Sequence, residues 1–452
     1  MARSHRAFFA GGVRALITCG GPSPALSIPG FRRTWEGAGV GDLVAAVRRG
    51  DADEVRALLE GGADPETLDD GLPVLCRAVA AYDEAVTEAL LEGGADPLRR
   101  LPDGSTPLLR AVDGGSHLLT LTLATHRVPL PAPAREELLA RARHWTETGA
   151  EAELRRRTGL TGPVERARVE DDEIGWWCEQ LTLGDLTVRD EHRAVLTSLE
   201  VRYGIRAPFD ELVARALAHP DRDHVVWSDV VFTLGRRFDE ETWQWTRDLL
   251  NHPDRLHRLF AAEVLLFLIL GDAFQGKDPF AERGRELVPW AEPEQDPEVL
   301  AALLDAMTHD SAPEIEAVGL SLLTHPDPRV RALVPDALER TWDGGAPARP
   351  AGLAALLALA RDEDAGVREA ACRRLAHHRG PEPEVGDALA ALTHDERQSV
   401  RISAVSGLAQ RDDPRCVEAE HRIGPLDPEL PFDHRLLDVS RYRQRREAAA
   451  GS

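Results

Sequence analysis

Leu58-Leu59-Glu60-Gly61-Gly62-Ala63-Asp64-Pro65 recurs letter for letter 32 residues later, as Leu90–Pro97. A second run, Asp103-Gly104-Ser105-Thr106-Pro107-Leu108-Leu109, has a shorter echo one period earlier, at Asp70–Leu75. A chain that repeats at this spacing folds as stacked supersecondary units, because one unit of that length cannot bury its apolar face alone. Ala and Leu dominate and aromatics make up only 5%, which favours helices over sandwiches as the repeated unit.

Within Leu43–Gly62, Gly71–Gly94 and Gly104–Ala124 the pattern reads helix, short turn, helix and, in the first two, a glycine exit. Gly62 and Gly94 stand where a left-handed residue ends a helix at no steric cost. Thr106-Pro107 supplies a hydroxyl cap followed by proline in the first helical turn. On these residues the stretch 40–127 resembles ankyrin repeats. The histidine usual in that family after Thr-Pro-Leu is replaced by Leu109, and by Cys76 in the preceding unit, which implies a more apolar stack.

Further along, turns of one kind precede apolar helices: His219-Pro220-Asp221, His252-Pro253-Asp254, Asp296-Pro297-Glu298-Val299 and His325-Pro326-Asp327-Pro328-Arg329-Val330-Arg331. Asp362–Arg368 and Asp395–Arg401 continue the series, and Val299, Val330, Val367 and Val400 recur 31, 37 and 33 residues apart. Proline cannot continue the preceding helix, and aspartate caps the next. The stretch 191–430 thus resembles HEAT repeats, and in that family the arginine position held here by Arg331, Arg368 and Arg401 pairs with aspartates of neighbouring turns. The expected fold class is all-α: an α-solenoid, a short ankyrin-like array joined to a HEAT-like helical-hairpin superhelix.

Between the arrays, 128–134 reads as an extended proline-rich linker. Residues 135–190 read as a connecting helix over Arg135–Arg157, with Leu138, Leu139, Ala142 and Trp145 on one face, followed by a small irregular or β-hairpin insert near 160–190. Residues 1–39 read as a disordered or misassigned extension, and 431–452 as a basic tail. The most apolar stretch, Phe260–Leu270, is too short to cross a bilayer, so it reads as a buried helix and no membrane association is expected.

The formal charge is −23, with +4 on residues 1–39, −9 on 40–125, −21 on 126–434 and +3 on 435–452. Such a body repels phosphate backbones, so nucleic acid is not an expected partner. Lys277 is the only lysine beside more than fifty arginines, a skew that points to a GC-rich bacterial genome. Five unpaired cysteines read as buried reduced thiols of a cytoplasmic protein.

No nucleophile, phosphate-binding or zinc-protease pattern is present, so the chain is expected to be no enzyme, with no cofactor and no metal. The histidines at the turns, His219, His252, His309, His325 and His394, read as helix C-terminal residues that meet the carbonyl end of the dipole. Stacked turns lie about 10 Å apart, too far to share one metal ion. One patch is a candidate for partner binding: Glu170, Asp171, Asp172, Glu173, Trp176 and Trp177, where carboxylates beside tryptophans suit capture of arginine or lysine side chains. The expected function is a protein–protein interaction scaffold that engages a basic protein. The alternative is an enzyme or a chromophore-handling protein, the latter implied by the bilin-lyase-like branch of the HEAT resemblance, with its site in the 160–190 insert.

Overall fold

Apolar residues spaced three and four apart leave one stripe of each helix to be buried, and the architecture follows from how those stripes are paired. In the computed structural model the described residues are 40–126, 129–170, 175–274, 283–310, 312–338, 350–378, 380–426 and 434–450. About 64% of the chain is helical, so the helical expectation holds apart from two small antiparallel sheets. The chain divides into two units, Met1–Thr233 and Leu234–Ser452.

The first unit begins with three helix pairs: Val40–Arg49 with Ala52–Glu60, Val74–Ala80 with Glu84–Glu92, and Pro107–Gly114 with His117–Thr125. First helices pack on first helices, and the series continues onto Ala132–Thr148; second helices pack likewise, and that series continues onto His192–Arg202. One apolar core therefore runs from Leu43 through Leu90 and Leu123 to Leu199. The caps match their sequence signals: Thr106 accepts from the Leu109 N–H, and Pro107 occupies the first turn. Replacing Thr106 by alanine is expected to cost about 1 kcal/mol in chemical denaturation.

The turn inside each pair requires a left-handed residue, met by Gly50 (φ 73°), Tyr82 (φ 55°) and Gly115 (φ 69°). Tyr82 bears this strain while its hydroxyl donates to the Gly114 carbonyl at 2.8 Å, tying the second pair to the third. At Gly115 a Cβ would stand 2.0 Å from the Arg189 carbonyl oxygen, so only glycine admits the strand that packs there.

Two expectations need correction. The helix Ala132–Thr148 starts inside the stretch read as extended, because Pro133 sits in its first turn, where a missing N–H costs nothing. The single helix expected over Arg135–Arg157 is two, Ala132–Thr148 and Ala150–Thr158, broken at Gly149 with φ 84° and ψ 145°. That conformation belongs to glycine alone. Leu138, Leu139, Ala142 and Trp145 are buried together, as their spacing predicts.

After a two-stranded hairpin, β1 (Leu68–Asp69) and β2 (Leu72–Pro73), the insert forms a second sheet. Its strands are β3 (Glu165–Glu170), β4 (Trp177–Leu183) and β5 (Leu186–Arg189), in the order β3-β4-β5. The expected hairpin is thus a three-stranded sheet, in which Leu181–Val188 folds back on itself through Gly184 (φ 63°).

In the second unit, Arg255–Phe274 packs on Pro297–Met307, and the series passes through Pro328–Arg331 and Val334–Leu338 to Ala365–His377, Gln398–Gln410 and Leu437–Ala450. A second layer carries Val288–Ala291, Pro313–Ser321, Pro350–Leu359, Pro383–Leu392 and Arg415–Glu420. Val299, Val330, Val367 and Val400 are all fully buried. Asp296, Asp327 and Asp364 each accept a backbone N–H at the start of the following helix. The sequence also suggests a loop at Gly271–Asp278, but its first half continues the helix Arg255–Phe274, while Lys277 and the rest of 275–278 lie outside the described residues.

At four of its turns an arginine clamps this stack. Arg331 donates to the His325 and Pro326 carbonyls and, through Nε and Nη2, to both oxygens of Asp362 at 2.8 Å. Arg368 repeats the arrangement on the Asp362 and Glu363 carbonyls and on Asp395. Arg401 holds the Asp395, Glu396 and Ile423 carbonyls. Arg258, not singled out in the sequence, does the same with the His252 and Pro253 carbonyls and Glu294. Each guanidinium satisfies a turn and ties it to the next one, a use of the rigid five-donor fork that lysine cannot reproduce.

Candidate functional site

The acidic–aromatic patch lies at the β3–β4 end of the sheet. Asp171, Asp172 and Glu173 lie outside the described residues. Glu170 closes β3 opposite Trp177 and accepts from Arg168 Nε at 2.6 Å. Trp177 donates its indole N–H to Asp221 at 3.2 Å; the Arg168 guanidinium sits 4.4 Å above its ring, and His224 meets it edge-on at 4.9 Å. The cation–π contact expected with a partner's arginine is made here by the chain's own Arg168. Trp176 is half-buried, 5.7 Å from Phe232.

Beneath the sheet the first unit holds three groups of buried polar side chains. In the first, Asp190, His219 and His224 bring three possible ligand atoms within 4.8 Å of one another. The partners come from β5's end and from the same turn, not from the next turn, so the spacing argument against shared coordination does not apply to them. The protonation pattern does. His224 Nδ1 accepts the Val226 N–H at 3.2 Å, and His219 Nε2 faces Arg193 at 3.4 Å. Each ring's proton therefore lies on the nitrogen facing Asp190, at 3.3 Å and 3.4 Å. A metal needs the reverse tautomers, with the far nitrogens donating to acceptors. It would also add positive charge beside the half-buried Arg193. The residues fit a neutral network balanced by the Asp190 and Arg193 charges, not a metal centre.

The same test applies to His252, Asp254 and His257, grouped at a turn of the second unit. His252 Nδ1 accepts the Asp254 N–H at 3.1 Å, and His325 Nδ1 accepts the Asp327 N–H at 3.1 Å. In these two His-Pro-Asp turns the imidazole is an acceptor that shapes the turn. These histidines stand just past helix ends, as read from the sequence, and add this backbone bond to that placement.

The second buried group joins His117, Ser198 and Asp229. Ser198 Oγ donates to Asp229 at 3.0 Å and lies 2.8 Å from His117 Nε2. With its only hydrogen on the carboxylate, the serine accepts from His117, so this histidine cannot act as the base that activates it. Burial opposes charge on His117, but Asp229 outweighs it and raises the imidazole pKa. The third group centres on Asp113, which accepts from Arg141, Arg157 and the Trp145 indole, while Arg156 and Arg157 clamp the fully buried Glu153. Cys178 is buried and unpaired, and burial first, then Glu191, pushes its thiol far above the ordinary value. A thiol held neutral is a poor nucleophile.

The second unit carries an open groove of about 770 Å³. Its walls are the loop around Glu292–Gln295, the end of Pro313–Ser321 and the turn His325–Pro328; Ala291, Leu300, Val318 and Leu322 supply apolar lining. The sequence reading did not anticipate it, since its walls come from three separate segments.

With this geometry in view, the comparisons are specific for one stretch. A family model described as HEAT repeats matches residues 353–419. The matched stretch includes Ala365–His377, Pro383–Leu392 and Gln398–Gln410, with the clamps of Arg368 and Arg401. No curated protein matches the chain. Among the described residues, no helix is long and apolar enough to cross a membrane.

Proposed function

We propose that this chain is a non-enzymatic interaction scaffold whose helical hairpins form an α-solenoid. It comprises an ankyrin-like array over 40–127 and a HEAT-like array over 191–430, acting in bacterial cytoplasm on a basic protein partner. The observation that carries the reading is the HEAT-repeat match at 353–419, in a stack where each turn arginine is spent on holding the next turn. HEAT repeats are commonly protein-interaction scaffolds. The net charge of −23 favours basic partners through steering and ion pairs. The acidic–aromatic patch, Glu170, Asp171, Asp172, Glu173, Trp176 and Trp177, is the proposed anchor for that partner, whose cations would compete with Arg168 for Glu170 and Trp177.

Affinity purification of the full chain from its native host, at low and at high ionic strength, tests this. Basic proteins retained at low salt and released as screening shortens the interaction range are the expected result. Acidic partners, or retention indifferent to salt, would overturn the electrostatic part of the reading.

A further inference from the structure

The groove of the second unit has a chemistry more specific than its shape. Residues 291–328, which supply its whole lining, contain nine Asp or Glu and not one Lys or Arg. Most of these acids are committed elsewhere. Glu294 is held by Arg258 and by the Gln295 and Asp296 N–H groups, and Asp327 by Arg329. Glu292 differs: it is exposed and has no ion pair among the described residues. His325, also in the lining, accepts the Asp327 N–H on Nδ1, so its Nε2 carries the proton and offers a donor. Half-buried Leu322 and the buried Leu300 and Val318 supply the apolar lining.

We propose that this groove takes an extended, basic segment of a partner protein: an arginine or lysine meets Glu292, a backbone carbonyl accepts from His325 Nε2, and an apolar side chain lies on Leu322. The inference rests on the scaffold reading and deepens it by naming where and by what chemistry one partner segment binds. Charge complementarity selects the occupant. A neutral peptide would leave Glu292 unanswered, and an acidic one would meet it as a like charge.

The test uses the full chain and two end-blocked hexapeptides, one alternating leucine with arginine and the other leucine with glutamate, titrated by calorimetry at low ionic strength. The leucine–arginine peptide is expected to bind saturably and the leucine–glutamate peptide not to bind. Glu292→Gln should weaken binding about five-fold, the worth of one exposed ion pair. Ser321→Arg, at an exposed position of the groove wall, should abolish it. Glu384→Gln, an equal charge change on an exposed residue outside the groove, should leave it unchanged. No saturable binding, equal binding of both peptides, or equal losses in Glu292→Gln and Glu384→Gln overturns the proposal. Partners of the whole chain that survive Ser321→Arg would sink the groove and spare the scaffold reading; a wild-type chain with no partners sinks the scaffold itself.

Discussion

Replacing Arg331 by alanine is expected to destabilise the second unit by about 3 kcal/mol, because it removes one half of a buried charge pair and leaves the other half behind. The Arg331 and Asp362 side chains are only 9% and 11% exposed. Burial alone would raise the Asp362 pKa, yet the Arg331 hydrogen bonds reverse that and hold it below the ordinary carboxylate value. Without the guanidinium, Asp362 keeps the burial and loses the compensation, while the His325 and Pro326 carbonyls lose their donor. Arg331→Met combined with Asp362→Asn should lose less than Arg331→Ala. Arg368→Ala should not add simply to Arg331→Ala, since Arg368 holds the Asp362 carbonyl and the two sites share that turn. Denaturation followed by circular dichroism, with hydrogen exchange in Ala365–His377 and Gln398–Gln410, reads both effects. Unchanged stability alongside lost partner binding would reassign these arginines from holding turns to contacting a ligand.

Lowering the pH from 6.5 towards 4 should destabilise the first unit through its buried histidines. Burial lowers the His192 pKa from 6.5 to about 4. Its Nε2 faces the Asp113 carbonyl at 3.4 Å, and its buried Nδ1 has no acceptor for a second proton. The unfolded chain takes up a proton near 6.5 and the native chain only near 4. Stability is therefore fully present above pH 6.5 and falls as the pH drops to about 4, by about 3 kcal/mol in all. His219, depressed by burial and by His224, acts in the same direction over the same range. Glu153, lowered to about 2 chiefly by its bond from Arg156, extends the loss below pH 4.5. His117 opposes these: its raised pKa adds stability at low pH that is lost as the pH rises through the native value.

Trp145 stacks on the His192 ring at 4.2 Å, so tryptophan fluorescence in urea titrations from pH 7 to pH 4 follows the transition. His192→Gln should remove about half of the decline above pH 4.5 and leave the part that His219 contributes. A urea midpoint independent of pH over that interval would refute the account.

Both predictions draw on residues that were visible in the sequence with their partners hidden. Arg331, Arg368 and Arg401 stood out because their turns repeat, and a repeat places like residues at like positions in every unit. Arg258 escaped notice because the turn preceding it, His252–Asp254, is followed by Arg255-Leu256-His257 and not by the valine of the others. The buried polar groups of the first unit were illegible for a different reason. Asp190 lies in the insert and Ser198 at no recurring turn position, and they meet His219, His224 and His117 only through packing. Trp177 illustrates the limit of composition: carboxylates beside tryptophan suggest an exposed cation trap, but Arg168, paired across β3 and β4 with Glu179, is the nearest cation available.

The amino-acid order by itself determined the helical hairpins, their caps, their left-handed turn positions and the buried valines. Each of these depends on residues within one period of each other, where backbone sterics and the 3.6-residue stripe leave few alternatives. Tertiary structure decided which carboxylates are neutralised, as Asp362 is by Arg331 and Glu294 by Arg258, and which segments wall the groove that Glu292 lines. Those outcomes depend on what burial and neighbours do to charge, and neighbours 20 or more residues apart in sequence are chosen only when the units stack.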